Sequence, residues 1–511
     1  MTMPNRFAIA ATALAILLVA AHAPVPVDWV MVAKIREEGL QRSQVMEYEA
    51  YMTDVLGARL TLSEGMKRAQ QWVEGEMTRI GLVNVAAEPF MDFGVTWDNE
   101  FVSLHMLDPD YAPMVGYPLS HTPSTNGSLV LQAVIADVQV RGDLAKYHGT
   151  LKGKAVLMSP PAVIDLTPLT NGIPRFTDAE LREKEQVVIA PRRPVPPAKN
   201  PELLTAEEKI AFYKAEGAAV VLQCESGWLG AVRGYSRPGA RSDGYARAGI
   251  MASPVIVAIT PEHYNRMYRI LQRDIPVKVQ VEVRNRVGTV VEQAVNIVGE
   301  IPGSDLKDEV VMIGAHFDTW QASPNASDNT SGVAVVLEAA RILKAVGATP
   351  RRTIRIALWS GEEQGLLGSR AYVRQHFGNP RDSAVGAKPA YEKLSVYFNQ
   401  DYGPGRYRGI YLQGNEGARA QLAAWMEPFS DFGMIAVSNQ GVGSTDHVSF
   451  DEVGLPGFQF LQDNVPGTGG HTNLDFYDTI QREDLMRNAV VMASYAWHAA
   501  MADAPMARKR Y

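Results

Sequence analysis

Val310-Val311-Met312-Ile313-Gly314-Ala315-His316-Phe317-Asp318 is an unbroken apolar run that ends in a histidine and an aspartate. Such a run suits a strand buried on both faces. The sequence beyond it repeats the theme. Ser331 to Val346 reads as a helix, with Val333, Val336, Leu337, Ala340 and Leu343 on its core side. Thr353 to Trp359, Leu394 to Phe398 and Gly457 to Leu461 read as further strands, and Glu483 to Ala500 as a closing helix. Strands alternating with helices from about Val295 predict an α/β fold with a mixed, largely parallel sheet and helices on both faces. Catalytic loops then belong at the carboxyl ends of the strands.

Polar residues collect at those ends. His316 and Asp318 follow the first strand, Ser360-Gly361-Glu362-Glu363 the second, and Asn399-Gln400-Asp401 the third. A glycine-rich loop after the fourth leads to His471, and Asp328 precedes the helix that begins near Ser331. Histidine nitrogen with carboxylate oxygen is zinc-binding chemistry, and a catalytic zinc keeps one position open for water. Two metals need a bridging group, and one bridge plus a pair of terminal ligands per metal makes five residues. His316, Asp328, Glu363, Asp401 and His471 fill that count. Glu362 is placed to take a proton from the attacking water and pass it to the leaving amine. Asp318 is expected to accept the second ring N–H of His316. Singly, each of these residues is an ordinary structural feature; their order, each at an element end, carries the reading.

Outward from this core the chain divides further. Its 511 residues exceed the needs of one core, so more than one domain is expected. Asp28 to Glu47 reads as helical, with Asp28 as a cap. Ser63 caps a second helix with Met66, Ala69, Trp72, Val73, Met77 and Ile80 along one face. Strand-like runs follow at Val83 to Ala87 and Phe101 to Leu107. The turn-rich stretch His121 to Ser128 marks a boundary. Beyond it, Ala155 to Met158, Gln186 to Ala190, Ala218 to Leu222 and Pro254 to Ile259 are short strands. Pro191 to Pro201 is a loop, because proline fixes φ and lacks an N–H. The expected division is 1–23 leader, 24–124 first part of the catalytic domain, 125–290 inserted domain, and 291–511 catalytic domain.

The N-terminus has a basic start at Arg6, an apolar run from Phe7 to Ala20 and small residues at Ala21-His22-Ala23. This is the pattern of a secretory signal and predicts a secreted or periplasmic protein. Pro24 is unfavourable just after such a site, so cleavage would shift or the segment would stay as an anchor. No later run is long and apolar enough to span a membrane, so no stable membrane association is expected after cleavage. The net charge of -7 argues against nucleic acid as a partner. Cys224 is the single cysteine, so no internal disulfide forms; it follows an apolar run and is expected to be buried.

With these residues in view, the sequence resembles the co-catalytic zinc aminopeptidase and carboxypeptidase family, most closely its carboxypeptidase Q branch. Residues 295–303, 314–318, 326–329, 359–365, 411–415, 445–447 and 471–473 carry the likeness. The resemblance implies a zinc exopeptidase fold and two Zn2+ per chain. It implies that His316 and Asp401 bind one zinc, Glu363 and His471 the other, and that Asp328 bridges them. It implies Glu362 as the general base, a cis peptide at Asp328–Asn329, and Asp446 and His447 at the substrate. Leu151 to Leu157 and Tyr213 to Val221 resemble a protease-associated domain, a β-rich insert that lies beside or over the site. The substrate implied is a short peptide, hydrolysed by a metal-bound water, and a homodimer is compatible with the family.

Carboxypeptidase or dipeptidase action is the favoured reading. An aminopeptidase holding the free N-terminus through Glu362 and its neighbours stays open. A non-catalytic scaffold would be expected to lack ligands or the base, and a glutaminyl cyclase to lack the insert. Arg233, Arg237, Arg241 and Arg247, in the glycine-rich stretch Gly227 to Arg247, offer guanidinium groups that can pair bidentately with a substrate carboxylate.

Overall fold

A computed structural model describes residues 26–164, 175–185, 200–225, 227–401, 403–465 and 470–509. The leader segment 1–23, the strand expected at Gln186 to Ala190 and residues 191–199 of the proline-rich loop lie outside the described residues.

In chain order the strands of three or more residues among the described residues are β1 (Val83–Asp108), β2 (Gly116–Pro118), β3 (Leu129–Ile135), β4 (Ala155–Leu157), β5 (Val220–Gln223), β6 (Val255–Ile259), β7 (Lys278–Ile301), β8 (Leu306–His316), β9 (Arg352–Trp359), β10 (Leu394–Asn399), β11 (Tyr407–Tyr411), β12 (Ala436–Ser438) and β13 (Gly457–Gln462). They lie in the order β12-β11-β13-β10-β8-β9-β7-β3-β4-β5-β6-β2, with β1 paired to β7. β13, β10, β8 and β9 are mutually parallel; β11 and β7 flank them antiparallel. This is the mixed, largely parallel sheet that the alternating pattern predicts.

The apolar run at 310–315 forms β8, and its two faces feed different cores. Val311, Ile313 and Ala315 pack under the helices Ser331–Ala345 and Arg482–Met501. Met312 points the other way, with Ala357, Trp359 and Tyr397, toward the helix Leu367–His376. A strand with helices on both sides has no wet face, so alternation disappears from its sequence. Gly314 is required by close approach: a Cβ there would lie 2.5 Å from the Ala357 carbonyl oxygen and 2.9 Å from the Tyr397 hydroxyl.

The runs at Val83 to Ala87 and Phe101 to Leu107 are not separate strands. They are the ends of β1, which pairs antiparallel with β7 from Val83↔Glu300 to Asp108↔Lys278, with several bulges. This ribbon reaches from the catalytic sheet to the middle region. There β3 joins β7 antiparallel, and β3, β4, β5 and β6 run parallel. Two apolar clusters cover the two faces of this second layer, and Cys224 is buried in one of them.

The N-terminal helix is shorter than its sequence pattern. Trp29–Gln41 is capped by the Asp28 side chain, as expected, but the chain leaves the helix at Arg42. The Gln44 N–H is drawn to the buried Glu338 carboxylate at 3.1 Å, and a new helix starts at Val45. Glu64–Ile80 begins at its Ser63 cap and ends at Gly81, whose φ of 92° is the left-handed geometry of a helix stop. Among the described residues no helix is long and apolar enough to cross a membrane.

Candidate metal centre

The parallel register aligns the carboxyl ends of the central strands, pairing Trp359 with His316 and Asn399 with Gly314. The loops leaving these strands therefore meet. His316 Nε2 lies 3.2 Å from Asp328 Oδ1 and 3.3 Å from Asp401 Oδ1. His471 Nε2 lies 2.9 Å from Asp328 Oδ2 and 3.0 Å from Glu363 Oε2. Two triads thus share Asp328, one carboxylate oxygen facing each. Asp328 itself sits in the turn 326–330, where it and Asn329 leave helical geometry and their peptide is cis. Asn329 holds that turn: its Nδ2 donates to the Gln400 carbonyl at 2.8 Å, and its Oδ1 accepts the Gly332 N–H at 3.1 Å. All five residues expected as ligands are brought together.

The fit to zinc can be tested on these distances. Tetrahedral zinc with ligand bonds of about 2.0–2.2 Å sets its donor atoms roughly 3.3 Å apart. The four spacings above lie within a few tenths of that value. Charge points the same way. Asp318, Asp328, Glu362 and Asp401 are buried, the Glu363 side chain is 4% exposed, and among the described residues two imidazoles face them, with Arg59 acting on Asp318 from behind. Glu363 Oε1 is buried with no hydrogen-bond partner among the described residues. Buried carboxylates need cations or protons, and the cluster shows that strain. Burial pushes Glu363 up to about 7, with His471 opposing and Asp328 adding to the shift. Burial also holds Glu362 well above the usual carboxylate range, with Asp401 and Asp446 reinforcing it against His316. Burial would lower both histidines, but Asp401 and Glu362 hold His316 well above the usual imidazole range, and Glu363 and Asp328 do the same for His471. Divalent cations would satisfy these carboxylates and leave the imidazoles neutral.

Asp318 does something other than the sequence reading assigned. His316 Nδ1 bonds the main-chain oxygen of Asp318 at 3.0 Å, whereas the carboxylate stays 3.9 Å away. The carboxylate instead accepts the N–H groups of Glu362 at 3.1 Å and Glu363 at 3.3 Å, and Thr61 Oγ1 lies 3.2 Å from it. Thr61 also accepts the Gly361 N–H at 3.1 Å. Asp318 and Thr61 together hold the turn that carries the proposed base and one ligand.

Asp446 and His447 are also placed differently from expectation. Both are fully buried. Ser444, Thr445 and Val448 face the cavity above the two triads, so Asp446 and His447 sit behind its wall rather than on it. Of the four arginines, Arg237 is buried, bonds the His121 carbonyl at 2.7 Å and pairs with Asp243. Arg247 bonds the Val287 and Gly288 carbonyls, and Arg241 lies against Gly365. Arg233 lines the cavity, whose volume is about 1070 Å3.

The sequence reading missed Thr61, Tyr235 and Asp475. Tyr235 Oη lies 3.3 Å from His471 Nδ1. Asp475 accepts the Ser327 N–H at 2.8 Å and the Ser327 hydroxyl at 2.9 Å, bracing the turn beside Asp328. Asp475 follows His471 by four residues, which was a readable signal. Thr61 and Tyr235 had none, since only folding brings them to the site.

Paired donor triads converging at the carboxyl edge of an α/β sheet suit a metal-dependent hydrolase. Residues 296–496 match the model of Peptidase family M28. Over 433 residues the chain is 23% identical to Carboxypeptidase Q of Mus musculus, covering 83% of this chain and 78% of that protein. A solved Peptidase M28 precursor from Shewanella amazonensis is 22% identical with a TM-score of 0.67, covering 94% of this chain and 98% of the other. BSAP, a zinc aminopeptidase from Bacillus subtilis, is 19% identical with a TM-score of 0.58, covering 90% and 95%. Both structures share the fold.

Proposed function

We propose that this chain is a two-zinc exopeptidase that hydrolyses dipeptides or short peptides and selects them by a free C-terminal carboxylate. The observation that carries the reading is the pair of triads sharing Asp328 at a cavity lined also by Arg233. His316 and Asp401 would hold one zinc and Glu363 and His471 the other, with Asp328 bridging. Zinc bound there supplies Lewis acidity, which makes a water molecule reactive near neutral pH and polarises the scissile carbonyl.

The remaining work falls to the chain's own residues. Glu362 faces the cavity, and burial raises its proton affinity. Its carboxylate takes one proton as the water oxygen attacks the carbonyl carbon. It returns that proton to the peptide nitrogen as the C–N bond breaks, giving a free amine and a carboxylic acid, which loses its remaining proton to solvent at neutral pH. Asp318 and Thr61 keep Glu362 at the correct depth. A cavity of about 1070 Å3 matches the upper end of pockets that enclose a drug-sized ligand, about 300–1000 Å3, and suits a short peptide. Arg233 offers a planar fork for its terminal carboxylate.

A dipeptide, its C-terminal amide and its N-acetyl derivative test this. Amidation should raise KM about 10- to 100-fold, the scale of a lost charge-assisted contact. Acetylation should leave KM nearly unchanged, and Arg233→Ala should erase the penalty for the amide. The second reading is an aminopeptidase, favoured by the carboxylates of Glu362, Asp401 and Glu452 on the same cavity, which can hold an ammonium group. Loss of cleavage on acetylation alone would establish it.

The proposal extends to residues 125–290 as a protease-associated lid limiting substrate length, and to export of the chain with residues 1–23 as leader. Neither nucleic acid nor a stable membrane contact is part of it. N-terminal sequencing of the exported protein tests the leader, and light scattering tests for a homodimer.

A further inference from the structure

His316 and His471 are held in different ways. Metal-binding histidines donate their second ring N–H to a fixed acceptor, which sets the tautomer and aims the other nitrogen. For His316 that acceptor is the main-chain oxygen of Asp318 at 3.0 Å, on the loop that follows its own strand. For His471 it comes from the middle region. Tyr235 Oη lies 3.3 Å from His471 Nδ1, while Nε2 faces Asp328 and Glu363.

The segment bearing Tyr235 is clamped to the His471 loop. The Gly234 N–H donates to the His471 carbonyl at 2.8 Å, and the Asn473 N–H to the Val232 carbonyl at 3.0 Å. The Val232 N–H donates to Asn473 Oδ1 at 2.6 Å, and Asn473 Nδ2 to the Gly230 carbonyl at 3.1 Å. Arg233 and Thr472 form an antiparallel bridge between them. The Tyr235 ring stands edge-on to both His471 and Trp320, at centroid distances of 5.5 and 5.4 Å. Arg233 Nη1 donates to Tyr235 Oη at 3.2 Å. With Nε2 on a metal, Nδ1 would carry the ring proton, and the phenol oxygen would then accept from both Arg233 and the His471 Nδ1–H. The clamp matters because the His471 side chain is 32% exposed; among the described residues Trp320 also stands edge-on to its ring, at 6.4 Å, but offers Nδ1 no polar partner.

We propose that Tyr235 is the positioning residue of His471, making residues 230–235 of the middle region a built part of the metal centre. It holds the imidazole with Nε2 aimed at the metal held by Glu363, and this rests on His471 being a zinc ligand. Removing the phenol oxygen leaves the ring contacts intact but frees the imidazole to rotate.

The test is Tyr235→Phe in the full-length protein, titrated with zinc against a chromophoric chelator. The expected result is a loss of about 10- to 100-fold in affinity for one metal, the usual scale for such a partner, with the other metal unchanged. The cobalt-substituted protein should show a changed visible absorption spectrum. Affinity and spectrum both matching the wild type would overturn the proposal. Should the variant fail to fold, the wild type still decides: the zinc-loaded protein should show a slowly exchanging His471 Nδ1–H proton by NMR, and rapid exchange would overturn the idea. His471→Ala separates the two levels. If that variant keeps all the metal, the ligand assignment has failed; if it loses metal while Tyr235→Phe does not, only the role of Tyr235 has failed.

Discussion

Replacing Asp318 by asparagine should slow hydrolysis about 100-fold while leaving metal at His316. The carboxylate accepts the Glu362 N–H at 3.1 Å on Oδ1 and the Glu363 N–H at 3.3 Å on Oδ2. An asparagine of the same shape keeps one acceptor and turns its NH2 toward the other N–H. One charge-assisted bond is lost outright, about 1.5–3 kcal/mol, and a buried donor is left facing a donor, about 1–3 kcal/mol more. Relief comes from shifting the 360–363 turn, which moves Glu362 away from the cavity. Of roughly 4 kcal/mol at stake, some is recovered by that shift. About 2.7 kcal/mol appearing in the reaction barrier corresponds to about 100-fold. Steady-state kcat and KM on a dipeptide, with metal content measured on the same sample, form the assay. A rate within about threefold of wild type would refute the reasoning that this carboxylate holds the turn. Loss of metal from His316 would revive the simpler idea that it orients that ring.

Glu362→Gln should retain metal and fold yet lose about 10²- to 10⁴-fold in kcat, the range for removing a general base; single-turnover kinetics on the metal-loaded variant checks this. Asp328→Asn removes the charge shared by both triads, so elemental analysis should find both metals depleted rather than one. Glu49 is fully buried, and among the described residues neither carboxylate oxygen has a hydrogen-bond partner. Burial holds it well above the usual carboxylate range, with Asp475 and Asp54 adding and Arg59 opposing. A carboxyl raised in the folded state contributes stability that is complete below its unfolded pKa, about 4.3. That stability is lost as pH rises toward the folded value. Glu49→Gln should therefore flatten the decline of Tm from acid toward neutral pH, and an unchanged slope would show that Glu49 does not set it.

The catalytic strands were legible because burial on both faces leaves an unbroken apolar run, as at 310–315. β1 was not. Its sequence passes through Glu88, Pro89, Asp92, Asp98 and Glu100, and it pairs with residues far away in the chain, from Val83↔Glu300 onward. Nothing local announces that partner. The metal residues were legible because each ends an element. The residues that hold them were not, since Thr61 and Tyr235 reach the site only through folding. Sequence adjacency also misled. The spacing His316-x-Asp318 invited a carboxylate-to-ring bond, but at the strand end the main-chain oxygen turns toward the ring and the carboxylate toward the neighbouring loop. Thr445-Asp446-His447 matched a family pattern, yet these acid and imidazole groups lie behind the cavity wall. Arg237 and Arg247 looked free in a glycine-rich stretch and are held by backbone carbonyls instead.

The most direct test of the central claim is elemental metal content of the purified protein, measured together with dipeptide hydrolysis before and after chelation. Two zinc per chain, with hydrolysis lost to the chelator and restored by zinc, is the predicted result. One metal or none per chain, with no hydrolysis even after zinc is returned, would contradict the paired site built on Asp328.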